Sequence, residues 1–256
     1  MNAVKLTRHG EAALLTLDRQ DALNALSFEI VQALSRAFDE VAHSDARVLI
    51  VTGAGDKAFC AGADIKELRH GELPRHKRSL HTGQGVMMQL ERLPVPSIAL
   101  VNGYAFGGGL ELALACTFRL ATPNAQLGVP EIKLGMIPGY GGTQRLPRLI
   151  GEARALELVL TGRAVKADEA ERIGLVHRVV TGDPLAEALA FAQTFTRYSL
   201  PVLAYAREAV QRALDNPLHE GLKVEANLGT LAYGTADAQE GLAAFEAKRK
   251  PQFRDA

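Results

Sequence analysis

Glu111 stands in Gly107-Gly-Gly-Leu-Glu111-Leu-Ala-Leu-Ala-Cys116, a lone carboxylate in an otherwise apolar run. Burying such a group unpaired is costly and moves its pKa up toward the range of a working general acid or base. The bland alternative is a structural ion pair with a neighbour such as Arg145. The three glycines before Glu111 let backbone approach a ligand closely, and a helix starting there aims free N–H groups and partial positive charge at it. Such a site stabilises an oxyanion, although tight strand–helix packing would explain the glycines equally well. Glu131, in Leu127-Gly-Val-Pro-Glu-Ile132, precedes the glycine-rich Pro138-Gly-Tyr-Gly-Gly-Thr143. Taken alone, it reads as an exposed helix-start residue. Phe59-Cys-Ala-Gly-Ala-Asp-Ile-Lys66 is by composition only another close turn.

Two other patterns lead elsewhere. Gly53-Ala-Gly55-Asp-Lys-Ala58 follows a strand-like run and fits a dinucleotide-binding fingerprint, but the acid about 20 residues on, Glu72, lies in a polar excursion. His70, His76 and His81 accompany Arg75, Lys77 and Arg78 at spacings that do not share a helical face, so they read as a solvated basic loop and not as metal ligands. No G-x-S-x-G elbow occurs for a serine nucleophile.

The elements that must position these residues follow from periodicity. Ala12–Asp18, Arg47–Thr52, Ser97–Val101, Phe118–Ala121 and Leu175–Val180 read as strands. Asp21–Ser27 supplies turn and cap residues before a helix over Phe28–His43. Leu68–Gly85, rich in charge, His, Gly and Pro, reads as a mobile or partly helical surface excursion. Gly107–Cys116 is expected to form a buried central helix, with further helices over Arg145–Leu160 and Ala167–Ile173. From Asp183 onward helices follow one another over Pro184–Tyr198, Pro201–Asp215, Pro217–Ala232 and Asp237–Lys248.

Bulk properties bound the reading. With 256 residues, 47% of them hydrophobic, the chain can bury a full core. Its 29 basic and 29 acidic residues cancel, so nothing draws the whole molecule to nucleic acid or to an anionic membrane, and any anionic ligand needs a local site. The two cysteines, Cys60 and Cys116, lie in small or apolar runs and suit a reducing, cytoplasmic compartment. No window approaches the roughly 20 apolar residues of a membrane helix.

Taken together, the segments resemble the enoyl-CoA hydratase/isomerase (crotonase) superfamily nearly end to end. The resemblance is carried by Ala58–Lys66, by Ile98-Ala-Leu-Val-Asn-Gly-Tyr-Ala-Phe-Gly-Gly-Gly-Leu-Glu-Leu112, by Val129–Leu146 and by the ending Glu240–Lys250. It implies an α/β fold, a spiral of repeated ββα units over 1–195 with a C-terminal helical oligomerisation region over 196–256 that builds trimers or hexamers. It implies that the backbone N–H groups of Ala63 and Gly108 form an oxyanion hole for a thioester carbonyl, and that Glu111 and Glu131 are the catalytic pair of a hydratase acting on a 2-enoyl-CoA. Ala61, Gly62, Asp64, Ile65 and Lys66 would line the coenzyme A path. Gly107, Pro130, Gly139 and Tyr140 would shape the acyl site, while Phe245 and Lys248 would reach a coenzyme A held largely by a neighbouring subunit. No cofactor is implied, because coenzyme A is part of the substrate. Isomerising members often lack the acid at the Glu111 position, so keeping both acids favours hydration. Val129 and Tyr140 depart from residues frequent in short-chain hydratases, which would alter acyl-chain preference. An isomerase or specialised lyase and a non-catalytic coenzyme A-binding scaffold are the alternatives.

Overall fold

A computed structural model describes residues 3–69 and 72–256. The first two strands, β1 (Val4–His9) and β2 (Ala12–Leu17), form an antiparallel hairpin. From β2 onward the large sheet is parallel, with β3 (Val48–Gly53), β5 (Ser97–Val101), β7 (Phe118–Ala121) and β10 (Arg178–Val179) following in that order. Each parallel strand of the middle of this sheet is followed by a short strand in a second sheet. These are β4 (Ala58–Cys60), β6 (Tyr104–Phe106) and β8 (Gln126–Gly128), joined later by the antiparallel β9 (Ala164–Lys166). One strand in each sheet and then a helix make up a turn of the spiral, which is the repeated ββα unit that the resemblance implies.

The large sheet is covered on both faces, so its strands read as continuous apolar runs. Leu49 and Val51 of β3 point into a cluster with Ile30, Leu34 and Phe38 of α1 (Phe28–Ala42) and Met87 and Leu90 of a later helix. Val48 and Ile50 point the opposite way, toward Ala188 and Ala192 of a helix over Pro184–Thr196. The strand period of two thus divides one apolar run between two layers.

Several boundaries differ from those read in the sequence. A four-residue turn, α2 (Ile65–Leu68), is followed by α3 (Leu73–Glu91), a continuous helix of 19 residues where an excursion was expected. Its Gly83, Val86, Met87 and Leu90 are buried, and that apolar side had been masked by the charges on its first turns. His70 lies outside the described residues. After α4 (Gly108–Ala115), the single helix expected over Arg145–Leu160 is two, α5 (Gly142–Ile150) and α6 (Glu152–Thr161), with Gly151 between them at φ 82°. Beyond α7 (Ala167–Arg172), the strand expected over Leu175–Val180 shortens to β10, because Leu175 and Val176 bond back to Ala170.

The last helices are α8 (Pro184–Thr196), α9 (Leu200–Gln211), α10 (Leu218–Tyr233) and α11 (Ala236–Glu246). No residue of α9 or α10 is buried. The C-terminal segment is nonetheless tied down, since Asp237 accepts the N–H groups of Arg254 and Asp255 at 2.7 and 2.9 Å, and Asp255 pairs with Arg47. Arg47 also donates to the carbonyls of Thr196 and Tyr198. No helix among the described residues is long and apolar enough to cross a membrane.

Candidate active site

The second and third turns of the spiral bring the two carboxylates together. Every residue of α4 is buried, and Glu111 is 2% exposed. Gly107, just ahead of the helix, has φ 49° and ψ −123°, a backbone state that disfavours side chains. A Cβ there would also lie 2.7 Å from Glu131 Oε1. The glycine run therefore serves close packing and the site at once, which joins the two readings the sequence left open. Gly109 shows the packing side, because a Cβ on it would lie 2.0 Å from the Cys60 carbonyl oxygen at the end of β4.

Among the described residues the Glu111 carboxylate has no ion-pair partner. Its Oε1 accepts the N–H groups of Tyr140 and Gly142, each at 2.7 Å. Burial raises its pKa, and these two donors pull the other way by favouring the charged form. Arg145, the neighbour that a structural ion pair would have used, is instead held bidentately by Glu91 at 2.7 and 2.8 Å, and it braces the loop through the Tyr140 carbonyl.

Glu131 begins a short 3-10 turn over Pro130–Leu134. It is not the exposed helix-start residue that its local sequence suggests, because its Oε2 is buried and has no hydrogen-bond partner among the described residues. Burial raises its pKa to about 7, and the charge of Glu111 adds in the same direction. Two carboxyl groups thus share a site with opposite provisions: charge-stabilising donors for Glu111 and none at Glu131 Oε2.

Backbone donors lie alongside. Gly108 is the first residue of α4, where an N–H has no partner within its own helix. Ala63 forms a parallel bridge with Leu26, made by Leu26 N–H to Gly62 O and Asp64 N–H to Leu26 O. In such a bridge the central residue turns its own N–H away from its partner. Ala63 N lies close to Gly108, the position of a Cβ on Gly108 being 3.5 Å from it. Gly62, at φ 109°, provides the left-handed bend that this turn needs.

The remaining expected residues divide into two places. Ala61–Lys66 form one continuous edge, with Asp64 capping Lys66 N–H at 3.0 Å and Ile65 50% exposed. Gly139 and Tyr140 dock on α3, where Gln84 donates to the Gly139 carbonyl at 2.9 Å. The Tyr140 ring is buried, and a Cβ on Gly83 would come within 2.2 Å of it. Val129 is fully buried in the core, with no surface toward the site. Pro130 lines a small cavity of about 150 Å³ with Phe106, Lys133 and Arg163. Phe245, 85% exposed, and Lys248 stand at the end of α11, apart from the carboxylates. Gly53 and Gly55 are followed by β4 and not by a helix, so the dinucleotide fingerprint is a close chain crossing, where a Cβ on Gly53 would meet the Ala58 carbonyl at 2.2 Å. Arg19, Asn24 and Gly83 went unnoticed as neighbours of the site, since Asn24 reads only as a turn residue and Gly83 lies in the misread α3 segment.

The enoyl-CoA hydratase/isomerase family model matches residues 7–256. The chain belongs to the enoyl-CoA hydratase/isomerase family. It is 45% identical to a probable enoyl-CoA hydratase of Rhizobium meliloti, over 96% of this chain and 95% of that one. A short-chain-enoyl-CoA hydratase of Clostridium acetobutylicum is 37% identical over 98% and 97% of the two chains. Among solved structures, an enoyl-CoA hydratase of Bacillus anthracis superposes with a TM-score of 0.94 at 38% identity, covering all of both chains. The spiral described above is the crotonase fold of this family.

The unpartnered Glu131 carboxyl makes a stability prediction. The folded protein holds this proton more tightly than the unfolded chain does, so stability falls as pH rises from the ordinary carboxylate range through about 7. Glu131→Gln removes that penalty. Its melting temperature is expected to exceed that of the wild type by about 2–4 °C at pH 9, for a net effect of about 1 kcal/mol, and to match it near pH 5. Paired thermal melts at the two pH values check this.

Proposed function

We propose that the chain is an enoyl-CoA hydratase, adding water to a trans-2-enoyl-CoA to give the 3-hydroxyacyl-CoA. The observation that supports this reading is a pair of buried carboxyl groups with unlike hydrogen-bond partners, beside a glycine run whose Gly108 lies near Ala63 N. Hydration of a conjugated thioester builds enolate charge on the carbonyl oxygen, and the N–H groups of Ala63 and Gly108 receive it, an effect worth about 3 kcal/mol per donor. Glu111, whose Oε1 accepts two backbone N–H bonds, takes a proton from the water whose oxygen bonds to the β-carbon. Glu131, whose pKa burial raises to about 7, delivers a proton to the α-carbon. The family resemblance implies that both carboxyls hold the same water and that the addition is syn. Coenzyme A enters as part of the substrate, along Ala61–Lys66, and no separate cofactor takes part in these steps.

Three finer readings accompany this one. The Tyr140 ring, wedged between Gly108 and Gly83, closes the α3 side of the site and favours short acyl chains. The exposed apolar side chains of Val210, Leu214, Leu218, Leu222 and Leu231 on and beside α9 and α10 fit burial against further copies of the chain, as a trimer or a pair of trimers, which would bring Phe245 and Lys248 to a neighbour's coenzyme A. Two buried free thiols suit a cytoplasmic location.

Loss of crotonyl-CoA absorbance measures the activity. Glu111→Gln and Glu131→Gln are each expected to lower kcat at least 100-fold, and a wild-type protein that turns over no 2-enoyl-CoA ends the hydratase reading. A panel that includes 3-enoyl thioesters separates it from isomerisation. On the same panel Tyr140→Ala raises the ratio of ten-carbon to four-carbon turnover by about 10-fold. Light scattering on the eluting protein should give a mass of three or six chains.

A further inference from the structure

Asn24 lies in a backbone state that asparagine tolerates and most residues do not. Its φ is 58°, and that of Leu23 before it is 51°, two successive left-handed residues without a glycine. Such strain persists only where the surroundings over-determine it, and it collects at functional sites. Asn24 is 1% exposed, and its amide is used on both ends. Oδ1 accepts the Arg19 N–H at 2.9 Å, while Nδ2 donates to the Ala58 carbonyl at 2.8 Å and the Ala54 carbonyl at 3.1 Å.

Those bonds fasten the 19–26 segment to the start of β4. From there the two stretches run side by side. Ala61 N–H donates to Leu23 O at 3.0 Å, Leu26 N–H to Gly62 O at 2.8 Å, and Asp64 N–H to Leu26 O at 2.9 Å. Arg19 closes the far end, its guanidinium 2.7 Å from Asp64, whose pKa that contact lowers. The direction of the Ala63 N–H follows from this ladder, since its flanking residues, and not Ala63 itself, bond to Leu26. Gly108 has an independent support in α4 and in the Gly107 N–H bond to Gly128 O at 2.9 Å. The two oxyanion donors are thus held by different parts of the chain, and only one of them depends on the 19–26 segment.

We propose that Asn24 is a positioning residue that sets the Ala63 N–H at its angle to the Gly108 N–H, through a left-handed brace completed by the Arg19–Asp64 ion pair. This rests on the oxyanion role proposed for Ala63. Asn24 is 1% exposed, and its amide acts through backbone groups of Arg19, Ala54 and Ala58.

The test separates positioning from folding. Asn24→Gly keeps the left-handed backbone and removes the amide; Asn24→Ala removes both. Each is assayed with crotonyl-CoA and titrated with acetoacetyl-CoA, whose enolate places charge on the thioester oxygen, and with butyryl-CoA, which does not enolise comparably. Asn24→Gly is expected to lower kcat 10- to 100-fold with KM within about threefold, and to lower the preference for acetoacetyl-CoA over butyryl-CoA by a similar factor. The enolate's absorbance band should weaken with it. Asn24→Ala should lose more. A kcat that is unchanged, or one that falls while the affinity ratio holds, overturns the proposal. Should neither variant fold, Arg19→Met loosens the other end of the brace, and an unchanged affinity ratio there overturns it equally. The affinity ratio needs no turnover, so a wild-type protein that binds acetoacetyl-CoA preferentially but hydrates nothing would end the hydratase reading and leave this one standing.

Discussion

Two carboxylates buried within reach of each other's charge cannot both ionise cheaply, and the centre of this molecule is arranged around that constraint. Glu111 is given two backbone N–H donors and Glu131 Oε2 has none among the described residues, while burial raises the pKa of both. An Arg beside Glu111 would have made a tighter structural site and would have fixed it in the charged state. Arg145 is instead committed to Glu91 and to the Tyr140 carbonyl. Its charge reaches Glu111 only as a small influence behind burial and the two N–H bonds.

The spiral is what allows such a centre to exist. Each turn places a short strand of the second sheet next to the previous one, so β4, β6 and β8 deliver their following loops to one edge. The loop after β4 carries Ala63, that after β6 carries Gly107 and Gly108, and that after β8 carries Glu131. Three segments far apart in the chain meet because of parallel pairing, which asks for close approach where they converge. Glycine at 62, 107 and 109 meets that demand, and larger residues would force the carboxylate or the carbonyls apart.

Much of this was legible in the sequence, for identifiable reasons. Glu111 stood out because a charge in a run of leucines and alanines has no bland explanation that periodicity supports. The parallel strands were readable from their apolar runs, and the ββα spiral followed from resemblance, not from pattern. Glu131 was not legible on local grounds. Its neighbours Pro130 and Ile132 look like a surface turn, and its burial comes from Gly107, more than 20 residues earlier in the chain. Helix α3 was legible only as a mobile or partly helical excursion, because its first turns carry Arg75, His76, Lys77 and Arg78 while its later turns bury Val86, Met87 and Leu90, so no single period describes it. The short strands of the second sheet, three residues each, are too brief to show alternation at all.

Asn24 marks a different limit. A left-handed asparagine in a run such as Asp21–Ser27 has the composition of any turn, and only the partners of its amide distinguish a brace from a bend. The same is true of the C-terminal segment, whose Asp237 and Asp255 contacts are long in sequence and invisible to local reading. Local patterns report which residues want burial; they do not report which backbone N–H must be left without a partner. The chemistry proposed for this fold depends on two such groups, and their availability is a property of the parallel bridge at Leu26 and the first turn of α4. A site built on backbone donors therefore depends on side chains that never enter it, because the residues at 63 and 108 contribute only the N–H that every residue but proline carries.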